Sequence, residues 1–288
     1  RFNRTLFVGP DVREEFNPYA RIIVDEALAR GIRLDVLDAA GGYFNLTHAG
    51  RRIRCRESLT DLTSSVVMSR CADKALCSRL LRSADVHTPA QAMAGSDEDN
   101  HTFLEQYGRI VVKPVDGEQG LGVSVDIRCA DQMREAISNA GQYGDVLLEE
   151  FVEGDDLRIV VIDYKVVAAA IREPAMVIGN GRHTVHELIV RQSRRRAAAT
   201  GGESKIPLDQ ETERTVLETG HRMDEVLASG TRLRVRKAAN LHTGGILRDV
   251  TDELHPELAR AAEAAAKTLE IPVTGLDFIV RSPTQPQY

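Results

Sequence analysis

The sequence has few cysteines, few lysines and no long apolar run. Its four cysteines form no Cys-x-x-Cys pair, which argues against a zinc ribbon and is typical of a reducing compartment such as the cytoplasm. No apolar run approaches the roughly 18 residues of a membrane span, and the first residues do not resemble a signal peptide. We therefore expect a cytoplasmic protein without a membrane partner.

Basic residues are also fewer than acidic residues. The chain of 288 residues has 37 Lys and Arg against 43 Asp and Glu, a net charge of -6, which argues against general nucleic-acid binding. Arginine outnumbers lysine 31 to 6, so each lysine is a candidate functional residue. The composition, 42% hydrophobic and 28% charged, is that of a globular protein, long enough for two or three compact units.

Several common catalytic motifs are absent: no Ser-His-Asp or Cys-His arrangement can be recognised, and no Walker loop or dinucleotide fingerprint occurs. Instead, two predicted strands, Ile110–Val112 and Leu121–Val125, flank a glycine-rich turn, and Lys113 follows the first of them. The glycines of this turn are Gly117, Gly120 and Gly122. Backbone N–H groups of such a loop can surround phosphate oxygens, with the lysine adding positive charge. A plain surface hairpin is the alternative.

Acidic side chains end or interrupt other apolar strands. Val146–Leu148 is a predicted strand that runs into Glu149 and Glu150, and Phe151 with Val152 could form a flat slot for a purine ring. The next residues, 154–156, are predicted to form a turn before another buried strand. The last predicted strand carries Asp277, whose carboxylate needs either a metal ion or a salt bridge.

The remaining segments give weaker signals. Residues 1–65 read as a small α/β unit, with a strand at Thr5–Val8 and a helix opening at Pro18. Residues 63–84 read as one helix that contains Lys74. Residues 179–240 read as a polar excursion in which the arginines at 191 and 194–196 favour a mobile, solvated segment over a nucleic-acid patch. His183 and His186 are three residues apart, but no third metal ligand lies near them in the sequence, which argues against a metal site.

Taken together, these motifs resemble the ATP-grasp ligases over nearly the whole chain. The segments REPAMVIGNGRHTVHELI, ANLHTGGILRDVTDELHPEL and GLDFIV look like the ATP-grasp module of cyanophycin synthetases. The run from NPYARIIVDEALARGI to SRCADK is most similar to N-acetylglutaminylglutamine synthetases. In that family the module follows an acetyltransferase-like domain, which we expect upstream.

The resemblance implies an α+β fold in which a small N-terminal α/β domain precedes two subdomains that clamp ATP. The expected domains are residues 1–85, residues 86–150 with the glycine-rich loop, and residues 151–288. The implied reaction is ATP- and Mg²⁺-dependent amide formation through an acyl phosphate, between small amino-acid-like substrates. A homo-oligomer is compatible with this expectation.

The resemblance also implies roles for single residues. Lys74, Lys113 and the Gly117–Gly122 loop would bind the phosphates, with Lys113 also counted among the catalytic residues. Arg172 and Asn240 would lie near the transferred phosphate, and Asp277 would bind Mg²⁺. The implied nucleotide-binding set also includes Glu149, Phe151 and Val152 at the adenine and Asp156 at the ribose.

Two positions depart from the family pattern. Asn180 stands where cyanophycin synthetases usually have Asp, and the eleven residues after Asp277 contain no Glu-x-Asn metal motif. The chain is therefore expected to stop before the second metal segment. The alternative functions are a nucleotide-binding regulatory domain without ligase activity and cyanophycin-type polymer synthesis. A nucleic-acid partner for residues 191–196 is disfavoured by the acidic net charge.

Overall fold

A computed structural model of the chain describes residues 16–115, 122–237 and 239–288. The predicted strand Thr5–Val8, as well as Gly117, Gly120 and Leu121, lies outside the described residues. No helix among the residues described has the length and apolar character needed to cross a lipid bilayer.

The described residues form both α-helices and β-strands. The helices are Pro18–Ala29 (α1), Ser65–Ala72 (α2), Lys74–Ser83 (α3), Asp97–Tyr107 (α4), Ala130–Ala140 (α5), Val185–Ala199 (α6), Gln210–Glu218 (α7) and Pro256–Thr268 (α8). The strands are Arg33–Asp38 (β1), Tyr43–His48 (β2), Arg51–Arg56 (β3), Leu59–Thr60 (β4), Gln91–Met93 (β5), Ile110–Pro114 (β6), Ser124–Ile127 (β7), Val146–Glu150 (β8), Asp155–Ile162 (β9), Lys165–Glu173 (β10), Met176–Ile178 (β11), Arg232–Arg234 (β12), Ile246–Asp249 (β13) and Val273–Val280 (β14).

The strands form four sheets among the described residues, with the orders β1-β2-β3-β4, β5-β8-β6-β7, β13-β10-β9-β14 and β11-β12. Pairings are antiparallel between β5 and β8, between β6 and both of its neighbours, and between β9 and β14. Mixed helices and antiparallel sheets of this kind confirm the predicted α+β class.

The chain divides into two compact units, which differ in charge. The basic unit contains the residues up to Thr63 and Ile171–Arg248, with 24 Lys and Arg against 18 Asp and Glu. The acidic unit contains Ser64–Ala170 and Asp249–Tyr288, with 13 Lys and Arg against 25 Asp and Glu. The predicted division at residues 85 and 150 stays a prediction.

In the acidic unit, the sheet β5-β8-β6-β7 has one face covered by helices. Ile110, Val112 and Leu148 are buried in a cluster with Leu104 of α4 and Met133 of α5. Successive strand residues point to opposite faces. The register pairs Val111 with Glu149 and Lys113 with Leu147, so these four residues share the face opposite the helices.

The strands β9 and β14 of the acidic unit follow the same alternation. Leu157, Ile159 and Val161 are buried on one face. Asp156 pairs with Ile279 and Arg158 with Asp277, so these polar residues share the other face. The predicted turn at residues 154–156 is therefore wrong in part: β9 already begins at Asp155, and Asp156 is a strand residue.

Gly154, just before β9, has no room for a side chain. A Cβ atom on it would lie 2.6 Å from the Val280 backbone oxygen.

Two buried clusters lie among the described residues of the basic unit. Phe16, Val24, Phe44 and Cys55 pack between α1 and the first sheet. A second cluster contains residues of α6, α7, β11 and β12, among them Ile189, Val216 and Leu233. The helix from Pro18 is confirmed, with Asn17 as its N-cap.

Two predictions about helices were wrong. Residues 63–84 form two helices rather than one, because Asp73 leaves the helical conformation (ψ 97°) and its carboxylate caps α3 by accepting a hydrogen bond from the Leu76 N–H at 2.8 Å. Lys74 is thus the first residue of α3. The arginines at 191 and 194–196 lie on the regular helix α6, which begins with a Thr184–Glu187 capping box, not on a mobile segment.

Candidate functional site

Lys113 and Glu149 form an ion pair on the face of the sheet β5-β8-β6-β7 that lies opposite α4 and α5. The Lys113 Nζ lies 2.7 Å from a Glu149 carboxylate oxygen, and the two side chains are 19% and 16% exposed. Gln91, directly opposite Glu149 on β5, donates from its amide to the other carboxylate oxygen at 2.5 Å. Both oxygens of Glu149 are thus occupied, and its carboxylate is held in one orientation.

Lys74 reaches the end of the same strand from α3. Its Nζ donates to the backbone oxygens of Val115 at 2.6 Å and Pro114 at 3.3 Å. Two of the six lysines therefore lie at β6, one on its face and one at the point where the chain enters the glycine-rich segment. Such a pair can neutralise the charge of a bound phosphate group.

Gly122 is the one glycine of the predicted loop that the structure describes. Its φ of +69° favours glycine, and an added Cβ would lie 2.8 Å from the Tyr143 ring. A side chain at this position would displace the loop end from β6. The roles of Gly117 and Gly120 lie outside the described residues.

Phe151 and Val152 follow β8 and are half-buried. The Phe151 N–H donates to the Arg109 oxygen at 3.0 Å, and the Arg109 guanidinium lies 4.2 Å from the centre of the Phe151 ring. The Phe151 N–H is therefore engaged within the protein and is not free to bind a purine ring. The ring is flat and fixed by Arg109, as an apolar slot requires.

Arg109 also belongs to a charged cluster beside this slot. Its guanidinium donates to Asp126 at 2.7 Å, and Arg128 donates to the same carboxylate at 2.9 Å. These hydrogen bonds, from Arg128 first and Arg109 second, lower the pKa of Asp126 to about 2. Asp126 therefore remains ionised and holds Arg109 against Phe151.

Asp277 is paired with an arginine on the neighbouring strand. Arg158 donates from Nη1 to Asp277 at 2.7 Å, and the side chains are 40% and 48% exposed. Gly275 makes this possible, because an added Cβ there would lie 2.4 Å from the Arg158 Nε. Asp156 occupies the same face one residue pair away, about 7–8 Å from Asp277 by the diagonal spacing of antiparallel strands.

The described residues offer Mg²⁺ a single carboxylate ligand rather than a preformed cluster. Among residues 16–115, 122–237 and 239–288, no group of three His, Cys, Asp or Glu side chains is placed to hold a metal. Asp277 fits the role of a single carboxylate ligand, which is common for Mg²⁺ because substrate phosphates and waters complete its shell. His183 is hydrogen-bonded to Asn180.

Arg172 and Asn240 lie in the basic unit. Arg172 is half-buried on β10. Asn240 organises a tight turn, since its backbone oxygen accepts from the Gly245 N–H at 2.8 Å and its side chain accepts from the His242 N–H at 2.9 Å. Their predicted position near a transferred phosphate stays a prediction.

Three residues of the site were not predicted: Gln91, Arg109 and Arg158. Gln91 and Arg158 contact a predicted residue on a paired strand, 58 residues apart for Gln91 and Glu149 and 119 for Arg158 and Asp277. Arg109, just before β6, contacts the ring of Phe151, just after β8. For Arg158 a signal existed, since an arginine on one apolar strand and an aspartate on another form a natural pair.

Comparison with known proteins gives an independent view of the chain. Residues 71–184 match the family described as RimK-like ATP-grasp domain. The chain is 34% identical over 275 residues to the cyanophycin synthetase of Nostoc sp., covering 93% of this chain and 30% of that protein. It is 27% identical over 283 residues to the glutathione biosynthesis bifunctional protein of Streptococcus thermophilus, covering 94% and 37%.

The structure resembles that of a bifunctional glutathione synthetase from Pasteurella multocida, with a TM-score of 0.70 and 22% identity over 95% of this chain and 38% of the other. The chain thus spans about a third of the length of the relatives it matches. These comparisons confirm the predicted fold and the likeness to cyanophycin synthetases. The chain therefore has the ATP-grasp fold, and its residues 71–184 are similar to RimK-like ATP-grasp domains.

Proposed function

We propose that the protein is an ATP-dependent carboxylate–amine ligase. The observation that carries this proposal is the Lys113–Glu149 ion pair on the sheet face opposite α4 and α5, with Lys74 at the end of the same strand. Lys113 and Lys74 bind the phosphates, Phe151 and Val152 the adenine, and Asp156 the ribose hydroxyls. Matches to cyanophycin synthetases and glutathione-forming proteins support the class of reaction.

In the proposed reaction a substrate carboxylate oxygen attacks the γ-phosphorus of ATP, and the bond to the β-phosphate oxygen breaks to release ADP. An amine then attacks the acyl phosphate, phosphate leaves, and the amine loses a proton to solvent. The protein mainly positions the reactants and neutralises charge. Asp277 is the residue that would hold Mg²⁺, which supplies further neutralisation of the phosphates when bound.

Lys113 is the central phosphate-binding residue of the proposed site. Before nucleotide binds, its charge is balanced by Glu149. A phosphate oxygen can compete for the same ammonium group, while Gln91 keeps the carboxylate in place. The lysine is therefore oriented in advance, which lowers the entropy lost when it binds a phosphate. Arg172 and Asn240 would stabilise the charge that develops on the transferred phosphate.

The product that we propose is the dipeptide N-acetylglutaminylglutamine, made in the cytoplasm by a protein with an acetyltransferase-like domain upstream of this module. Cyanophycin-type polymer synthesis is the competing product class, and the 34% identity to a cyanophycin synthetase favours it. The proposed arrangement retains the three domains at residues 1–85, 86–150 and 151–288.

A substrate screen with the full-length protein tests the proposal. ADP and phosphate release would be measured with ATP, Mg²⁺ and glutamine, N-acetylglutamine or aspartate-containing peptides, and products identified by mass spectrometry. We expect ADP release that depends on both a carboxylate and an amine. Release of AMP and pyrophosphate would exclude the acyl-phosphate route.

A regulatory nucleotide-binding domain is the second candidate function. It is favoured by one observation: Asp277 is engaged by Arg158 and stands apart from any three-residue metal cluster among the described residues. The screen separates the two functions, because a regulatory domain would bind ATP but release no ADP with any substrate pair.

A further inference from the structure

A turn of the basic unit that contains Asn240 is contacted from the end of α6. The turn spans residues 240–245, and we call it the Asn240 turn. Its own backbone closes it, since the Gly245 N–H donates to the Asn240 oxygen at 2.8 Å. Arg196, in the last turn of α6, donates from Nη2 to the Gly245 backbone oxygen at 2.5 Å. The guanidinium is therefore bonded to the residue that closes the turn.

Ser204 links the same guanidinium to the other end of the turn. Arg196 donates from Nε to the Ser204 hydroxyl at 3.1 Å, and that hydroxyl donates to the Leu241 oxygen at 2.5 Å. Ser204 is itself buried, and its N–H donates to the Thr200 hydroxyl at 3.0 Å. Nε and Nη2 lie on one edge of a rigid, planar group. Arg196 therefore fixes both ends of the turn at once.

Close packing restricts the turn further. Gly244 has a φ of +94°, and an added Cβ there would lie 2.4 Å from the Ile206 Cγ1 atom. The Lys205 N–H donates to the His242 oxygen at 3.1 Å. The segment that follows α6 and the Asn240 turn are thus joined by hydrogen bonds and by contact, so a change at the end of α6 is transmitted to the turn.

The Asn240 side chain has a defined orientation within this turn. Its Oδ1 accepts a hydrogen bond from the His242 N–H at 2.9 Å. Only the oxygen of an amide can accept from a backbone N–H, so this bond also fixes which way the amide points. Nδ2 is then the donor end of the side chain. A donor that is held in place stabilises negative charge developing on an oxygen atom.

We propose that Arg196 is a positioning residue for the ligase reaction: it holds the Asn240 turn so that Nδ2 of Asn240 donates to an oxygen of the transferred phosphate. Arg196 itself does not touch the substrate. This role rests on the proposed function, in which Asn240 lies near that phosphate. Precise placement of a donor matters most in the transition state, so loss of Arg196 should lower kcat and leave the KM of ATP nearly unchanged.

A double-variant cycle in the full-length protein, followed by ADP release, tests the positioning role. Arg196→Met and Asn240→Ala should each lower kcat at least about tenfold, with the KM of ATP within about twofold. The double variant should be no slower than Asn240→Ala alone, because Arg196 acts only through Asn240. Arg196→Lys should recover part of the rate, since an ammonium group can reach one acceptor but lacks the planar fork.

The matched control is Arg222→Met in the same unit. Arg222 is 75% exposed and pairs with Asp224, so this variant also removes an ion-paired arginine but should keep the kcat of the parent protein. Thermal unfolding of each variant shows whether it is folded at the assay temperature. If Arg196→Met does not fold, Ser204→Ala takes its place, because it breaks one of the two links. Its loss of kcat should be about threefold and should vanish in the Asn240→Ala background.

Two kinetic results would overturn the positioning role. One is the parent's kcat in folded Arg196→Met. The other is multiplication of the two losses in the double variant, or a Ser204→Ala loss that persists without the Asn240 amide, since either would show that the residues act independently of each other.

Hydrogen–deuterium exchange of the peptide that contains the Asn240 turn needs no nucleotide and separates this role from the proposed function. Arg196→Met should speed exchange in the turn at least about tenfold, because local opening becomes easier, and Arg222→Met should leave it unchanged. Unchanged exchange in Arg196→Met would refute the link between Arg196 and the turn. A parent protein that releases no ADP, or Asn240→Ala with the parent's kcat, would instead refute the proposed role of Asn240 in the reaction, while the exchange result stands.

Discussion

The acidic and basic units differ in how their candidate residues are held. In the acidic unit, Lys113, Glu149, Asp156 and Asp277 lie on antiparallel strands whose opposite faces are buried. In the basic unit, Asn240 lies in a turn. On α6, Arg191, Arg194 and Arg195 are exposed, whereas Arg196 is partly buried and donates to the Ser204 hydroxyl at 3.1 Å. Strand register fixes the first group, whereas the second depends on local turns and capping.

Charge sharpens the contrast. The acidic unit has 25 acidic against 13 basic residues, although it has the residues proposed to bind phosphate. Its overall field repels an anion, so phosphate binding there must come from a few close donors such as Lys113 and Lys74. The basic unit, with 24 basic against 18 acidic residues, can attract anionic substrates through its overall field.

The largest expected effect is that of Lys113→Met in the acidic unit. A charge-assisted contact in a partly closed site contributes about 1.5–3 kcal/mol, so ATP should bind at least about tenfold more weakly by titration calorimetry. The matched control is Lys165→Met, a lysine of the same unit that is 72% exposed and pairs with Glu263. Equal ATP affinity in the two variants would contradict the proposed phosphate site.

A second test uses opposite changes at one ion pair. Asp277→Asn should raise the Mg²⁺ concentration for half-maximal ADP release about tenfold, since it removes a carboxylate ligand. Arg158→Met should lower it about threefold, because an exposed ion pair worth about 0–1 kcal/mol no longer competes. Asp163→Asn, in an exposed turn, is the control. Changes of the same sign in both variants would show that Arg158 does not compete with metal.

A third test addresses the basic unit. The double variant Arg194→Ser and Arg195→Ser removes two exposed charges of α6. We expect the KM of an anionic amino-acid substrate to rise about threefold at low salt and to be unchanged at high salt, while the KM of ATP stays within about twofold. A tenfold loss of ATP affinity in this double variant would show that phosphate recognition depends on the basic unit and would contradict its assignment to the acidic unit.

The smallest effect concerns acid stability. The pKa of Asp126 is about 2 in the folded protein, lowered from 3.8 by Arg128 and Arg109. Its contribution is present above pH 4 and is lost as the pH falls towards 2. Asp126→Asn should therefore lower stability by less than about 1 kcal/mol at pH 6 and make no difference near pH 2. Thermal unfolding at both pH values measures this, and a larger effect at pH 2 would contradict it.

Much of the fold could be predicted because local signals agree with tertiary structure. The helix predicted to open at Pro18 begins there, with the Asn17 side chain as its N-cap. The strand Ile110–Val112 was also predicted, because its three residues are all apolar. In the structure it is the first part of β6.

Other features could not be read from local patterns, or were misread. Asp73 ends α2 and caps α3, although an aspartate before a helical segment was a visible capping signal. The Thr184–Glu187 capping box was a similar signal for α6. By contrast, the contact of Gln91 with Glu149 arises only when β5 pairs with β8, and a single sequence contains no trace of that pairing.

We propose that residues of the acidic unit bind the nucleotide. Hydrogen–deuterium exchange with and without ATP is the most direct measurement of this. On ATP binding we expect slower amide exchange in β6, in β8 and in residues 151–152, which follow β8. We expect unchanged exchange along α6. Protection confined to residues of the basic unit, with β6 and β8 unaffected, would contradict it.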